Sequence, residues 1–263
     1  MKILFPTDLS DDSISGIKHI LPQIVQEGKE VEVQLFHCVE QPHQGATLMV
    51  DISKILINDA KNQMIQEVEK IKEELGIDVT YEVTNGYYEV ELKDYDKIWN
   101  PDLVVLISKA RHGIMKYLSG QQSLKFIGEL TAPMLVIPEN TPFKQVKKIG
   151  MAVDKSESPT LDSVARIKKL IAYFDAEVEM FHIGDSDDVK ESEFYKNVSS
   201  ASEFGSVQLI DKKSIREGIQ LWSLEHGIDI LITLTHDKST FHRTFAGSVT
   251  KDLVKDNLLS LLI

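Results

Sequence analysis

The sequence predicts an α/β fold, with two tandem domains that are each a mainly parallel five-stranded sheet flanked by helices. Three observations carry that expectation. First, apolar segments recur in the same order. Lys2-Ile3-Leu4-Phe5-Pro6-Thr7-Asp8-Leu9-Ser10 returns as Lys148-Ile149-Gly150-Met151-Ala152-Val153-Asp154-Lys155-Ser156. Glu32-Val33-Gln34-Leu35-Phe36-His37 returns as Glu177-Val178-Glu179-Met180-Phe181-His182, and Pro101-Asp102-Leu103-Val104-Val105-Leu106 as Ile228-Asp229-Ile230-Leu231-Ile232-Thr233. Second, the strand candidates are short continuous apolar runs, such as Leu103 to Ile107 and Ile230 to Leu234, as strands buried on both faces require. Third, helix-length segments separate them, which is the pattern of βαβ units. A chain of 263 residues has room for two such domains, and neither needs disulfides or a structural metal to build a core.

Taken in order, the first strand ends near Pro6 and leads through Asp8 and Ser10 into a helix beginning near Asp11. Pro22 is discordant there, because an interior proline removes a hydrogen bond and predicts a kink. A loop from Gln41 to Gly45 follows the second strand, then a long helix from about Met49 to Leu75. On that helix Ile52, Ile55, Leu56, Ala60, Met64, Val68, Ile71 and Leu75 form one face at three- and four-residue spacing. Gly76 is placed to end it in the left-handed conformation. The polar segment Glu139-Asn140-Thr141-Pro142-Phe143-Lys144 reads as a linker, giving domains 1–139 and 145–263. In the second copy, Ser158 before Pro159 marks a helix start. Asp8 recurs 146 positions later and His37 145 positions later, but Asp102 only 127 later. The second copy is therefore shorter by 18 residues between its second and fourth strands, with a remnant around Glu191 to Phe204.

Composition excludes several classes. The 29 Lys+Arg against 41 Asp+Glu leave a net charge of −12, the wrong sign for DNA or an anionic membrane. Neither Gly86-Tyr87-Tyr88 nor Trp99 has basic residues interleaved, so no nucleic-acid partner is expected. The single cysteine, Cys38, excludes an intramolecular disulfide and a Cys-rich zinc site. No apolar run approaches the roughly 20 residues of a membrane span. Lys2 is followed by only Ile3-Leu4-Phe5 before Pro6 and Asp8, so no signal-peptide core is expected and a cytoplasmic location follows.

Each copy resembles the universal stress protein family. The likeness is carried by Ile3-Leu4-Phe5-Pro6-Thr7-Asp8-Leu9-Ser10, Leu35-Phe36-His37-Cys38-Val39 and Asp102-Leu103-Val104-Val105-Leu106, and most strongly by Gly120 through Ala132-Pro133-Met134-Leu135-Val136-Ile137. The resemblance implies an adenine-nucleotide α-hydrolase-like domain whose last strand follows a glycine, a helix and a proline. Gly120 and Pro133 keep that spacing. In copy two, Gly247-Ser248-Val249-Thr250 matches the glycine end and Ser260 stands where the proline would be.

ATP-binding members resemble G-x2-G-x9-G-[S/T] after the fourth strand. Glycines there let backbone N–H groups approach phosphates at a helix N-terminus. Copy one reads Ile107, Ala110, Gly120, Gln121 at those places, and copy two reads Leu234, Asp237, Gly247, Ser248. Each has lost two glycines of three. Ile is poorly suited to positive φ, and Asp237 sets a carboxylate beside the phosphates, a repulsion of roughly a few kcal/mol at an effective dielectric near 20. What the resemblance implies for copy one is a nucleotide site of Pro6, Thr7, Asp8, Val39, Ala110, Gly120, Gln121, Gln122 and Ser123, with Lys109, Arg111 and His112 nearby. A second, degenerate site would comprise Asp154, Asp237, Gly247, Ser248, Val249 and Thr250. Asp8 and Asp154 would face adenosine in that reading; the alternative is that they bracket the start of the following helix. The cofactor implied, if any, is ATP or another adenine nucleotide with Mg in domain 1.

Other constellations are weaker. His37 and His182 recur within apolar strands and read as hydrogen-bonded structural histidines. Cys38 follows His37 on a strand, so the two side chains point to opposite faces and form no catalytic couple. His236, Asp237 and His242 have metal-binding side chains but match no helix-face signature, so no metal site is expected. No G-x-S-x-G elbow, Walker-type lysine loop or supported carboxylate pair occurs, and no catalytic residue is assigned. The expectation is a non-catalytic stress-response or regulatory binding module with eroded ATP-binding loops. The alternative is an ATP-binding switch, with slow ATPase activity at most, using copy one. Its partners would be an adenine nucleotide or other small ligand and other proteins. In such families the last strands pair, so Val136-Ile137 would meet Leu261-Leu262-Ile263 in an intramolecular pseudo-dimer, with or without a further homodimer.

Overall fold

The first apolar run becomes the central strand of its sheet. In the computed structural model, β1 (Lys2–Pro6) pairs in parallel with β2 (Glu32–Val39) on one side and β4 (Leu103–Ser108) on the other, and β3 (Val79–Asn85) lies outside β2. The structure describes residues 1–40, 53–108, 129–138, 143–152, 161–183, 207–210, 215–233 and 260–262. Helices α1 (Asp11–Ile24), α2 (Ser53–Leu75) and α3 (Tyr88–Trp99) connect the strands of this first unit, Met1–Met134. Ile3, Leu4, Phe5, Leu35, Phe36 and Leu103 to Leu106 are all buried. Both faces of these strands are covered, which is why their sequences do not alternate.

Local sequence explains where the helices start and stop. Ser10 caps α1, its Oγ accepting from the Ser13 N–H at 3.2 Å, and Asp11 and Asp12 lie in the first turn, at the positive end of the helix. Pro22 does not end α1 where it stands. It falls in the last turn, and the helix runs on to Ile24, closed by the Val25 N–H on the Leu21 carbonyl at 2.8 Å. The predicted face of α2 holds from Leu56 onward, with Ala60, Met64 and Ile71 buried, but Ile55 is 58% exposed. Residues at 56, 60, 64, 71 and 75 keep helical spacing, which rotates the adjacent Ile55 out of the stripe. Gly76, at φ +68°, ends α2 with its N–H on the Lys72 carbonyl, as expected. Met49 to Ile52 lie outside the described residues.

The second unit, Leu135–Ile263, repeats the arrangement. Here β6 (Lys148–Ala152) is central, between β7 (Glu177–Ile183) and β9 (Ile230–Ile232), with β8 (Val207–Ile210) outside β7. Its described helices are α4 (Leu161–Phe174) and α5 (Ile215–His226). β10 (Ser260–Leu262) runs parallel to β9 and antiparallel to β5 (Met134–Pro138). Leu261 lies opposite Val136 and Leu262 opposite Leu135, so these strands meet as expected, although Ile137 is not in the register and Ile263 is outside the described residues. The Glu191 to Phe204 remnant, Ser158 and Pro159 are also outside them.

The register itself repeats. Lys2 lies opposite Glu32 and Ile3 opposite Leu103; Lys148 lies opposite Glu177 and Ile149 opposite Ile230. An aspartate braces the base of each sheet. Asp102 Oδ2 accepts from the Lys2 N–H at 2.9 Å, and Asp229 Oδ2 accepts from the Lys147 and Lys148 N–H groups at 2.8 and 2.9 Å.

Candidate functional site

Ligands of open parallel sheets bind beyond the carboxyl ends of the strands. In the first unit that edge carries Thr7 and Asp8 after β1, His37, Cys38 and Val39 at the end of β2, Asn85 at the end of β3 and Gly86 after it. Pro6 is the buried last residue of β1, opposite Phe36. Thr7 is 1% exposed. Its hydroxyl shares a hydrogen with Ser13 Oγ at 2.9 Å and accepts the Leu9 N–H at 3.0 Å. Asp8 Oδ1 accepts from both the Ser10 N–H and the Ser10 hydroxyl, at 3.0 and 2.6 Å. Asp8 therefore steadies the residue that caps α1. Leu9 sits between them at φ +61°, a left-handed conformation that costs a side chain energy unless neighbours hold it. Gln63 Nε2 from α2 helps, donating to the Leu9 carbonyl at 3.0 Å.

His37 Nδ1–H donates to the Thr7 carbonyl at 2.9 Å, which fixes the tautomer and leaves Nε2 as the acceptor of the neutral ring. Burial lowers the His37 pKa from 6.5, against the opposing pull of the Thr7 carbonyl and Asp8. Cys38 is a buried free thiol whose pKa burial raises, partly offset by Thr84 and the Gly86 carbonyl. Val39 is buried, and its carbonyl accepts the Gly86 N–H at 3.2 Å. Beside it in the register, the buried Asn85 Oδ1 has no hydrogen-bond partner among the described residues. An acceptor left in that state costs about 1–3 kcal/mol, so it is a place where a donor would gain. The buried Tyr88 hydroxyl is pushed well above its usual pKa by burial, then by Cys38 and Asp8, and stays protonated.

The fourth strand brings one further feature to this edge. Ile107 lies against α1: a Cβ on Gly16 would sit 3.1 Å from Ile107 Cδ1. The bulk that replaces the first glycine of the phosphate-binding pattern is thus taken up on the helix side. Away from this edge, at the amino end of β5, the buried Asp96 of α3 accepts from the Thr131 N–H at 2.7 Å, the Ala132 N–H at 3.3 Å and the Thr131 hydroxyl. This carboxylate pins the turn that leads into β5, and sequence spacing does not reveal it.

The structure thus brings Pro6, Thr7, Asp8 and Val39 to one edge. Ala110, Gly120, Gln121, Gln122 and Ser123 lie outside the described residues, as do Asp154, Asp237, Gly247, Ser248, Val249 and Thr250 of the second copy and the His236, Asp237, His242 set. Among the described residues no three His, Cys, Asp or Glu side chains converge as a metal site, and no helix is long and apolar enough to cross a membrane. The residue of this edge that sequence reasoning missed is Asn85, and away from it sequence reasoning also missed the bracing Asp96.

Comparison with known proteins agrees with the α/β fold. A universal stress protein of Methanocaldococcus jannaschii is 27% identical over 139 residues, spanning 52% of this chain and 81% of that protein. A universal stress protein structure from Archaeoglobus fulgidus superposes with a TM-score of 0.68 at 16% identity, covering 99% of this chain and 94% of that one. A putative universal stress protein from Pseudomonas aeruginosa gives 0.57 at 12% identity over 99% and 91%. The cytoplasmic domain of a prokaryotic cation chloride cotransporter gives 0.55 at 10% identity over 99% and 93%. At such identities these structures show the fold alone. The family profile described as the universal stress protein family matches residues 1–138, and on that match the chain belongs to this family.

Proposed function

We propose that the chain is a tandem, non-catalytic stress-response or regulatory binding module whose ATP-binding loops are eroded. The observation that carries this reading is the commitment of the strand-end polar groups to the scaffold. Thr7 holds Ser13 and Leu9, Asp8 holds Ser10, and His37 holds the Thr7 carbonyl. None of these is arranged as a nucleophile with its base. The glycine losses at Ile107 and Ala110 support the same reading, as does the carboxylate of Asp237 in the second copy. Its partners are then other proteins, the two copies act as an intramolecular pseudo-dimer with or without a homodimer, and the setting is the cytoplasm. A steady-state assay with Mg·ATP tests the non-catalytic part. Phosphate release at the buffer background is expected, and release that disappears in Asp8→Asn would overturn it.

One observation pair favours a second reading, an adenine nucleotide with Mg held by the first unit as a switch. Ile107 turns its bulk toward Gly16, and Asn85 Oδ1 lies at the strand ends as a buried acceptor with no donor among the described residues. Under this reading Pro6, Thr7, Asp8, Val39, Ala110, Gly120, Gln121, Gln122 and Ser123 hold the ligand.

A further inference from the structure

Of five equivalent positions in the two units, three carry different chemistry. In the first, Lys2 Nζ lies 5.2 Å from the Trp99 ring centroid. Trp99 stacks on Tyr95 at 6.4 Å and Tyr95 on Phe36 at 5.1 Å. The Tyr95 hydroxyl donates to Gln34 Oε1 at 2.5 Å. The repeated registers put Lys148, Glu179 and Phe181 where Lys2, Gln34 and Phe36 stand. Counting back from the bracing aspartates puts Trp222 and His226 where Tyr95 and Trp99 stand.

The stack persists in the second unit, with Phe181 on Trp222 at 4.0 Å and Trp222 on His226 at 4.4 Å. Two exchanges have altered it together. Gln34 is replaced by Glu179 and Trp99 by His226, and these two new side chains meet, His226 Nδ1 lying 2.5 Å from Glu179 Oε2. Lys148 Nζ donates to Glu179 Oε1 at 3.0 Å. Gln208 of β8 closes the ring, with its amide nitrogen 3.5 Å from Glu179 Oε2 and its oxygen accepting from Trp222 Nε1 at 3.1 Å. Gly150 makes room for the larger indole: a Cβ there would lie 3.0 Å from Trp222 Cζ3.

We propose that His226, Glu179 and Lys148 form a proton-operated clasp, which holds α5 more tightly to β6, β7 and β8 as the surroundings acidify and which the first unit lacks. Histidine changes charge over roughly pH 5–8. As imidazolium, His226 pairs with the Glu179 carboxylate and presents a cation to the face of Trp222. As neutral imidazole it loses both attractions and keeps a plain Nδ1–H hydrogen bond. The side chains of His226 and Glu179 are 28% and 22% exposed, so solvent screens this pair less than a surface one.

Glu179 stays ionised through this range. Burial pushes its carboxyl up, but the hydrogen bonds and charges of Lys148 and His226 outweigh that and hold it below the usual range. The other groups facing the pair leave the sign unchanged. Lys148 from β6 is held cationic by Glu179, with Glu177 and Asp229 near it, β8 supplies the neutral Gln208, and the neighbouring charge on α5 is Glu225. The inference is independent of any nucleotide at the other end of the sheet.

Each unit carries one of the two tryptophans, which supplies the test. In the full-length Trp99→Phe chain, Trp222 is the sole indole, and its emission is followed from pH 8 to pH 5. Emission is expected to fall as the imidazolium forms against the ring, and the change is expected to vanish when His226→Gln is added. Glu179→Gln, nearly isosteric, tests the pair without emptying the stack. Amide protection of α5, corrected for intrinsic exchange, is expected to rise on acidification in the Trp99→Phe chain and not in its Glu179→Gln variant. Emission that stays flat, or that changes equally in His226→Gln, would overturn the clasp, as would α5 protection that is independent of pH.

Discussion

Asp96 and Ser223 occupy the same turn of equivalent helices, 127 positions apart. Asp96 gathers the Thr131 and Ala132 amides and the Thr131 hydroxyl, whereas the buried Ser223 hydroxyl has no hydrogen-bond partner among the described residues. The donors' counterparts differ too, since Leu258 and Leu259 stand where Thr131 and Ala132 stand. The first unit thus braces the approach to β5 with a buried carboxylate, and the equivalent position of the second carries the uncharged Ser223. The second unit instead sets an ionic cluster at Lys148, Glu179 and His226, where the equivalent positions of the first unit are neutral apart from Lys2. One backbone plan has been kept while its polar chemistry has moved.

The sharpest way to break that comparison is to cut both positions to alanine. Asp96→Ala strands the buried Ala132 amide and the part-buried Thr131 amide and hydroxyl and is expected to cost about 2–3 kcal/mol. Ser223→Ala removes a hydroxyl that has no hydrogen-bond partner among the described residues and is expected to be neutral or to stabilise by up to about 1 kcal/mol. Denaturant unfolding of both variants checks the pair, and equal losses would end the distinction. Next in size is Gly150→Ala, whose methyl would press on Trp222 and on Ile228 Cγ2 at 3.1 Å, an overpacking expected to cost about 1–3 kcal/mol. Ser10→Ala should cost about 1 kcal/mol by uncapping α1, read from the unfolding midpoint.

The smallest expected effect is the pH dependence, and it sharpens the comparison further. The folded His37 pKa lies below its ordinary 6.5. Its contribution to stability is complete above that value and is lost as pH falls toward the folded pKa. Glu179 is also depressed, but from 4.5, so its contribution survives mild acid and is lost only as pH falls below that. Between pH 7.5 and 5.5 the first unit should therefore weaken while the clasp in the second tightens. Replacing His37 with Gln should flatten the loss of stability over that interval, measured by unfolding at each pH.

Much of the fold was legible because continuous apolar runs and helix-length spacers have few other solutions. Asp8 was readable as a residue at a strand end, and its second role, steadying Ser10, was one of the two alternatives the residues left open. Ile55 was misread locally, since one of two adjacent isoleucine and leucine residues must face outward, and Pro22 stands in the last turn of α1, where a proline removes little. Asp96 was not legible, because a carboxylate within an amphipathic helix looks like surface until the Thr131 turn is folded onto it. The Lys148, Glu179 and His226 triad spans three separate elements, so no motif announces it. Its one sequence signal is internal: Gln34 to Glu179 and Trp99 to His226 change together when the copies are aligned.

The central claim is that the strand-end groups of the first unit serve the scaffold and its ATP-binding loop is eroded. Calorimetric titration of the full chain with Mg·ATP, beside an Asp8→Ala variant verified as folded by circular dichroism, tests it most directly. The account predicts no saturable heat up to millimolar nucleotide in either protein. Micromolar binding to the natural chain that Asp8→Ala abolishes would contradict it and establish the first unit as a nucleotide switch.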